Sequence, residues 1–196
     1  MPNRTLLNLT VKESDQTRHY WATRPGLSEE TQARILASGI LLVPWENRSN
    51  GGDTFPAGTT EFALRLKRSL SDQHFEIAVD RENYVELALH ADHERWPTMV
   101  VSTIFLGVLS SVLGSYIYDM MQKPAPPKTL EMKLIVENKD GKCISIDYTG
   151  PPLDALDSVV AQAENCFPGE IGSPPVPSED VPTLPGGSKE ASPQED

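Results

Sequence analysis

Between Glu46 and Thr59 the chain reads ENRSNGGDTFPAGT, and this is the stretch whose residue types best suit chemistry. Gly51 and Gly52 let a backbone approach a ligand closely, and Asn50, Asp53 and Thr59 offer polar contacts. The stretch follows the apolar run Ile40–Trp45 and leads into a helical pattern beginning near Thr59. In parallel α/β units, ligands bind outside the carboxyl ends of strands, beside the amides that open the next helix. The loop is also longer than such connections usually are. It has neither a GxGxxG fingerprint nor a P-loop lysine, so a nucleotide phosphate is not indicated. A small ligand is what it suggests.

Other candidates are thinner. His90 and His93 in LHADHER lie three residues apart and can share a helix face, but no third ligand accompanies them, so no metal site is assigned. Cys143 and Cys166 match no metal or redox spacing and read as free thiols, or as a disulfide if that part of the chain faces an oxidising compartment. There is no GxSxG, HExxH or Cys–His signature. No cofactor is implied, and the reading leans away from an enzyme.

The elements that would position these residues follow from periodicity. Arg4–Lys12 alternates weakly as a first strand. Ser28 caps a helix over SEETQARILASG, with acids in its first turn and Gly39 at its stop. Residues 40–45 form a strand buried on both faces. A helix over TTEFALRLKRSL, capped by Thr59 or Thr60, leads to a strand over 74–80; strand, helix, strand is a βαβ unit with parallel strands. RENYVELALHAD reads as a short helix. Further on, LEMKLIVENKDGKCISIDY is a hairpin about an Asp-Gly turn, and a helix follows with Leu153, Leu156, Val159, Val160 and Ala163 on one stripe.

Between the two halves, Trp96–Tyr118 carries no charged side chain. At 1.5 Å per residue it reaches about 34 Å, enough for a hydrocarbon core of about 30 Å. Trp96 lies at one end and Tyr116 and Tyr118 at the other, as an interfacial aromatic belt requires. Thr103, Gly107, Ser111, Gly114 and Ser115 make a small-residue face through which such a span would self-associate. The competing reading is a core helix of a soluble α+β protein.

The expected fold is therefore α+β: a small βαβ-containing domain (1–95), a single transmembrane helix (96–118), a Pro-rich linker (119–128), a β-hairpin plus helix module (129–167) and a disordered acidic Pro/Gly/Ser tail (168–196). A net charge of -11 argues against nucleic acid as a partner. The functional expectation is a membrane-anchored, non-enzymatic sensor, adaptor or effector, single-pass, with its N-terminal domain in the cytoplasm. Its partners would be the lipid bilayer and a protein, either another protein recruited at the hairpin edge or a second copy in a homo-oligomer. The alternatives are a small-ligand-binding protein or enzyme using loop 46–59, and a soluble α+β protein with a buried apolar helix.

Overall fold

A computed structural model describes residues 7–46, 53–70, 74–87 and 93–171. In chain order the elements are β1 (Asn8–Ser14), α1 (Arg18–Ala22), α2 (Glu29–Ala37), β2 (Ile40–Val43), β3 (Trp45–Glu46), β4 (Asp53–Pro56), α3 (Thr59–Ser69), β5 (Phe75–Ile77), β6 (Glu86–Leu87), β7 (His93–Arg95), β8 (Thr98–Ser102), α4 (Leu106–Met121), β9 (Thr129–Glu137), β10 (Cys143–Gly150) and α5 (Pro152–Cys166). The fold is α+β. One mixed seven-stranded sheet runs β1-β10-β9-β8-β2-β5, with β7 pairing β9 ahead of β8; β3, β4 and β6 form a small second sheet.

Sequence alternation explains the layers. Ile40 and Leu42 of β2, Met99 and Val101 of β8, and Leu134 and Val136 of β9 point into one cluster, packed by α3, α4 and α5. Leu41, Val43, Val100 and Ile135 point into the other, covered by Trp21, Ala22 and Ile35 of α1 and α2. The central strands are thus buried on both faces, which is why ILLV is a continuous apolar run. The expected parallel βαβ unit is present: α3 links β2 to β5, and the two strands pair in parallel from Ile40↔Phe75 to Leu42↔Ile77. A second such unit, β8-α4-β9, pairs in parallel from Met99↔Leu134 to Ser102↔Glu137.

That second unit corrects the helix expected over Trp96–Tyr118. Thr98–Ser102 is a strand, buried throughout and flanked by β2 and β9. Pro97 falls between β7 and β8, and the Trp96 amide keeps the ladder by donating to the Glu131 carbonyl at 3.0 Å. Helical structure begins with a 3-10 turn at Thr103–Phe105 and continues as α4. The segment Thr103–Met121 is long and apolar enough to cross a membrane, with mean hydropathy 1.4, and 39% of its most apolar window is buried inside the fold. It is not apolar on every face: Leu106, Leu109, Leu113, Tyr116, Ile117 and Met120 are buried, whereas Ser111, Ser115, Tyr118 and Asp119 are exposed.

Other expectations shift locally. Of the expected helix over 81–92, residues 81–87 are described and are not an α-helix: Arg81–Asn83 make a 3-10 turn and β6 joins β4, fixed by Tyr84 stacked on Phe55 at 4.9 Å and by the Phe55 amide donating to the Val85 carbonyl at 2.8 Å. The first strand runs two residues further than expected, to Ser14. The hairpin β9–β10 is present, with Gly141 at φ 76 in its turn, but neither edge is free: β10 pairs β1 and β9 pairs β8. Helix α5 turns Pro152, Ala155, Val159 and Ala163 inward and leaves Leu153 exposed, so its buried stripe is rotated from the expected one. Of the expected tail, Pro168–Ile171 are described and the Glu170 amide donates to the Phe167 carbonyl; residues 172–196 lie outside the described residues.

Candidate functional site

Beyond the carboxyl end of β5, the turn joining α1 to α2 meets β4 and the segment after β5 around a cavity of about 450 Å³. Arg24, Gly26 and Leu27 contribute from the turn, Asp53 and Thr54 from β4, and Ala78 to Asp80 with Glu82 and Val85 from the chain after β5. The turn forms because Arg24-Pro-Gly cannot continue a helix, and Gly26 takes φ 91. Arg24 lies with its guanidinium 4.9 Å over the Trp21 ring, and its Nη2 donates to Asp53 Oδ1 at 3.0 Å.

Two polar atoms in this wall lack partners. Arg24 Nη1 and Thr54 Oγ1 are buried and make no hydrogen bond among the described residues. Thr54 is 8% exposed, so water does not substitute freely. Leaving such groups unmatched costs about 1–3 kcal/mol each. Asp80 is the opposite case. It accepts from the Ser28 amide at 2.9 Å, the Ser28 hydroxyl at 2.8 Å and the Thr31 hydroxyl. The Thr31 bond, then those from Ser28, hold its carboxyl below the usual range. It helps cap α2 and stays ionised at the cavity rim.

The residues singled out in the sequence fall as follows. Asn50, Gly51 and Gly52 lie outside the described residues. Asp53 lines the cavity as the partner of Arg24. Thr59 does not: it is fully buried, and its hydroxyl donates to the Pro56 carbonyl at 2.7 Å. The amides at the start of α3 are also occupied. Gly58, at φ 89, is the N-cap, and Glu86 accepts from the Gly58 amide at 3.1 Å, the Thr60 amide at 2.7 Å and the Tyr84 hydroxyl at 2.6 Å. Burial pushes the Glu86 carboxyl up, but these bonds with that from the Thr60 hydroxyl outweigh it and hold it below the ordinary value. Of the loop residues that are described, Asp53 thus lines the cavity and Thr59 does not, and the amides that open α3 are taken by Glu86.

The small-residue face of α4 is divided among neighbours. Thr103 is buried, Gly107 half-buried, and Gly114 faces α5, where a Cβ would sit 3.4 Å from Leu156. Ser111 and Ser115 line a cleft of about 350 Å³ with Arg65 and Arg68 of α3. Arg65 is engaged there, bonded to Asp119 at 2.6 Å and lying over the Tyr116 ring. His90 lies outside the described residues and His93 opens β7; no group of three metal-ligating side chains occurs among the described residues. Cys143 and Cys166 are both free. Cys143 packs under α1 and α2 while α5, which carries Cys166, covers the other face, so the sheet separates them. Burial pushes the Cys143 thiol up to about 12, which makes it unreactive.

The chain matches no family model, no curated protein and no solved structure.

Proposed function

We propose that this chain is a non-enzymatic receptor domain that takes a small polar ligand in the cavity between the α1–α2 turn, β4 and the segment after β5. One observation carries the reading: a space of about 450 Å³ is lined by Arg24, Asp53, Thr54 and Asp80 together with apolar side chains. That volume is within the range of small-molecule sites, and the wall combines an apolar surface from Pro25, Leu27, Ala78, Val79 and Val85 with a few convergent polar atoms. Asp53 and Asp80 are engaged by Arg24 and by Ser28 and Thr31, so they serve as fixed charges that orient rather than as bases. The test is amide NMR of the full chain with a panel of small carboxylates, amines, sugars and amino acids. Saturable shifts gathered on Arg24–Leu27, Asp53–Thr54 and Ala78–Val85 are expected. Shifts that scatter, or none, would sink the receptor reading.

A second reading keeps the membrane. Its support is the length and hydropathy of Thr103–Met121. On this reading α4 leaves the sheet and inserts, in a single pass or with a second copy packed on its small-residue face. The cost weighs against it: Met99, Val101, Leu134, Val136 and Ile146 would lose their cover. Alkaline carbonate washing of membranes from expressing cells decides it, since an inserted helix stays in the pellet and a sheet-packed one does not.

A further inference from the structure

We infer that the protein has a second small-molecule site, in the groove between α3 and the edge strand β5, and that it takes a compact amphiphile, an apolar chain or ring ending in one carboxylate. Of its lining residues it shares Val79 alone with the cavity beyond β5, and it stands independently of the receptor reading above.

β5 is the outermost strand at its end of the large sheet, and a groove of about 480 Å³ lies between it and α3, a volume typical of small-molecule sites. Apolar side chains make most of the wall: Ala63 and Leu64 from α3, Phe75 and Ile77 from β5, and Val79 and Tyr84 from the segment after it. They are within reach of a ligand, since Leu64 is 50% exposed and Ile77, Val79 and Tyr84 are half-buried. An added strand is a poor occupant. β5 has three residues, and both backbone groups of Ile77 are already engaged: its amide donates to Glu76 Oε1 at 3.0 Å and its carbonyl accepts from the Val79 amide at 2.8 Å. Strand addition draws its affinity from open main-chain groups, so this edge leaves the groove to a ligand held by side chains. Charge selects the ligand's polar end. Three cations and one carboxylate line the groove, Arg34, Lys67 and Arg81 against Glu76, a local balance of +2 in a chain of net charge -11. Arg34 is also bonded to Glu30, which does not line the groove, and with that carboxylate counted the balance is still +1. Glu86, also outside the lining, is taken up by the amides and hydroxyls that open α3. Arg81 is exposed, and its guanidinium has no partner among the described residues. A guanidinium and an ammonium can only donate, and a carboxylate accepts from both by charge-assisted bonds.

The test is amide NMR of the full chain titrated with octanoate, octylammonium and octan-1-ol, three probes that share one apolar chain. Octanoate should move the signals of Ala63, Leu64, Lys67, Ile77 and Tyr84 saturably. It should leave in place those of Gly26, Leu27 and Thr54, which line the other cavity. Octylammonium should bind about tenfold more weakly than octanoate, since it exchanges attraction to two exposed cations for repulsion. Lys67→Gln and Arg81→Gln should each weaken octanoate about two- to fivefold, the worth of one exposed ion pair, and leave octan-1-ol unchanged. Leu64→Asn, at a position open enough to spare the fold, should weaken octanoate and octan-1-ol alike. Octylammonium binding as tightly as octanoate, or unchanged octanoate binding in the Lys67→Gln, Arg81→Gln double variant, overturns the choice of an acidic ligand. Octanoate shifts that scatter, that are absent, or that gather on Gly26, Leu27 and Thr54 instead overturn the site itself.

Discussion

Glu86 does at the start of α3 what a serine or threonine does at most helix starts. Its carboxylate reaches the Gly58 and Thr60 amides from a strand more than twenty residues further along the chain. The arrangement satisfies two open donors and sets a negative charge at the positive end of the helix. Because the folded protein holds this carboxyl below its unfolded value, the stabilisation is present above the unfolded pKa and is lost as pH falls through the folded one. Glu86→Gln should therefore cost about 1 kcal/mol at neutral pH, in line with the loss of a good cap. The gap from wild type should narrow as pH falls through and below the ordinary carboxylate range. Urea unfolding of both proteins across that range reads it. A second residue-scale anchor is Arg18, which donates through its backbone amide at 3.1 Å and Nε at 3.0 Å to Glu137, a carboxylate only 8% exposed, and through Nη1 to the Ser38 carbonyl. Arg18→Met strands that carboxylate and should cost about 3 kcal/mol; Arg18→Met with Glu137→Gln should recover part of the loss. Neither anchor is visible in sequence, since each joins residues far apart. Gly39 does stand just past the end of α2, but what requires a glycine there is packing: a Cβ would lie 2.2 Å from the Phe105 ring.

At the scale of elements, α4 shows why an uncharged run is ambiguous. The charge count over Trp96–Tyr118 cannot separate a strand from a helix, because a strand buried on both faces and a helix against a sheet are both free of charge. The order of residue types was the finer signal. Thr98, Val100 and Val101 gather β-branched side chains at the front, where the strand lies, while Leu, Gly, Ser and Tyr predominate at the back, where the helix runs. The buried positions Leu106, Leu109, Leu113, Tyr116 and Ile117 follow helical spacing, but the serines mask the contrast because they are polar without being charged. A paired substitution exploits the difference. With α4 packed on the sheet, Leu113→Asp should cost at least about 3 kcal/mol, or prevent folding, and Ser111→Asp should stay within about 0.5 kcal/mol. A helix in a bilayer would penalise both by about 2.5–3.5 kcal/mol. Soluble yield and urea unfolding of Ser111→Asp is the deciding measurement. The β2-α3-β5 unit, the hairpin and α2 with its Ser28 cap were all legible, because each rests on local periodicity or a local cap.

At the scale of the molecule, the apolar stretch looked like a partition and the sheet crosses it. β1, from the start of the chain, pairs along its whole length with β10, from Asn8↔Thr149 to Ser14↔Cys143. β2 and β5 come from before the stretch, β9 and β10 from after it, and β8 from inside it. Such pairings have no local signature, so sequence divides the chain where composition changes rather than where contacts end. The Lys123–Lys128 linker makes this testable, since it lies on the surface between α4 and β9. Replacing KPAPPK with a protease site and cutting the folded protein should leave the two pieces together on a sizing column without denaturant. The seam between them comprises the β8–β9, β7–β9 and β1–β10 ladders and the packing of α4 on α5. Adding urea should separate the pieces in the same transition that unfolds the whole, because the first piece loses the strands that pair with β1, β7 and β8 and the second loses the cover of α1, α2 and α4. If cutting alone releases a stable C-terminal piece from 129 onward, the hairpin and helix form a module of their own. The ladder from β1 to β10 would then be a docking contact rather than part of one core.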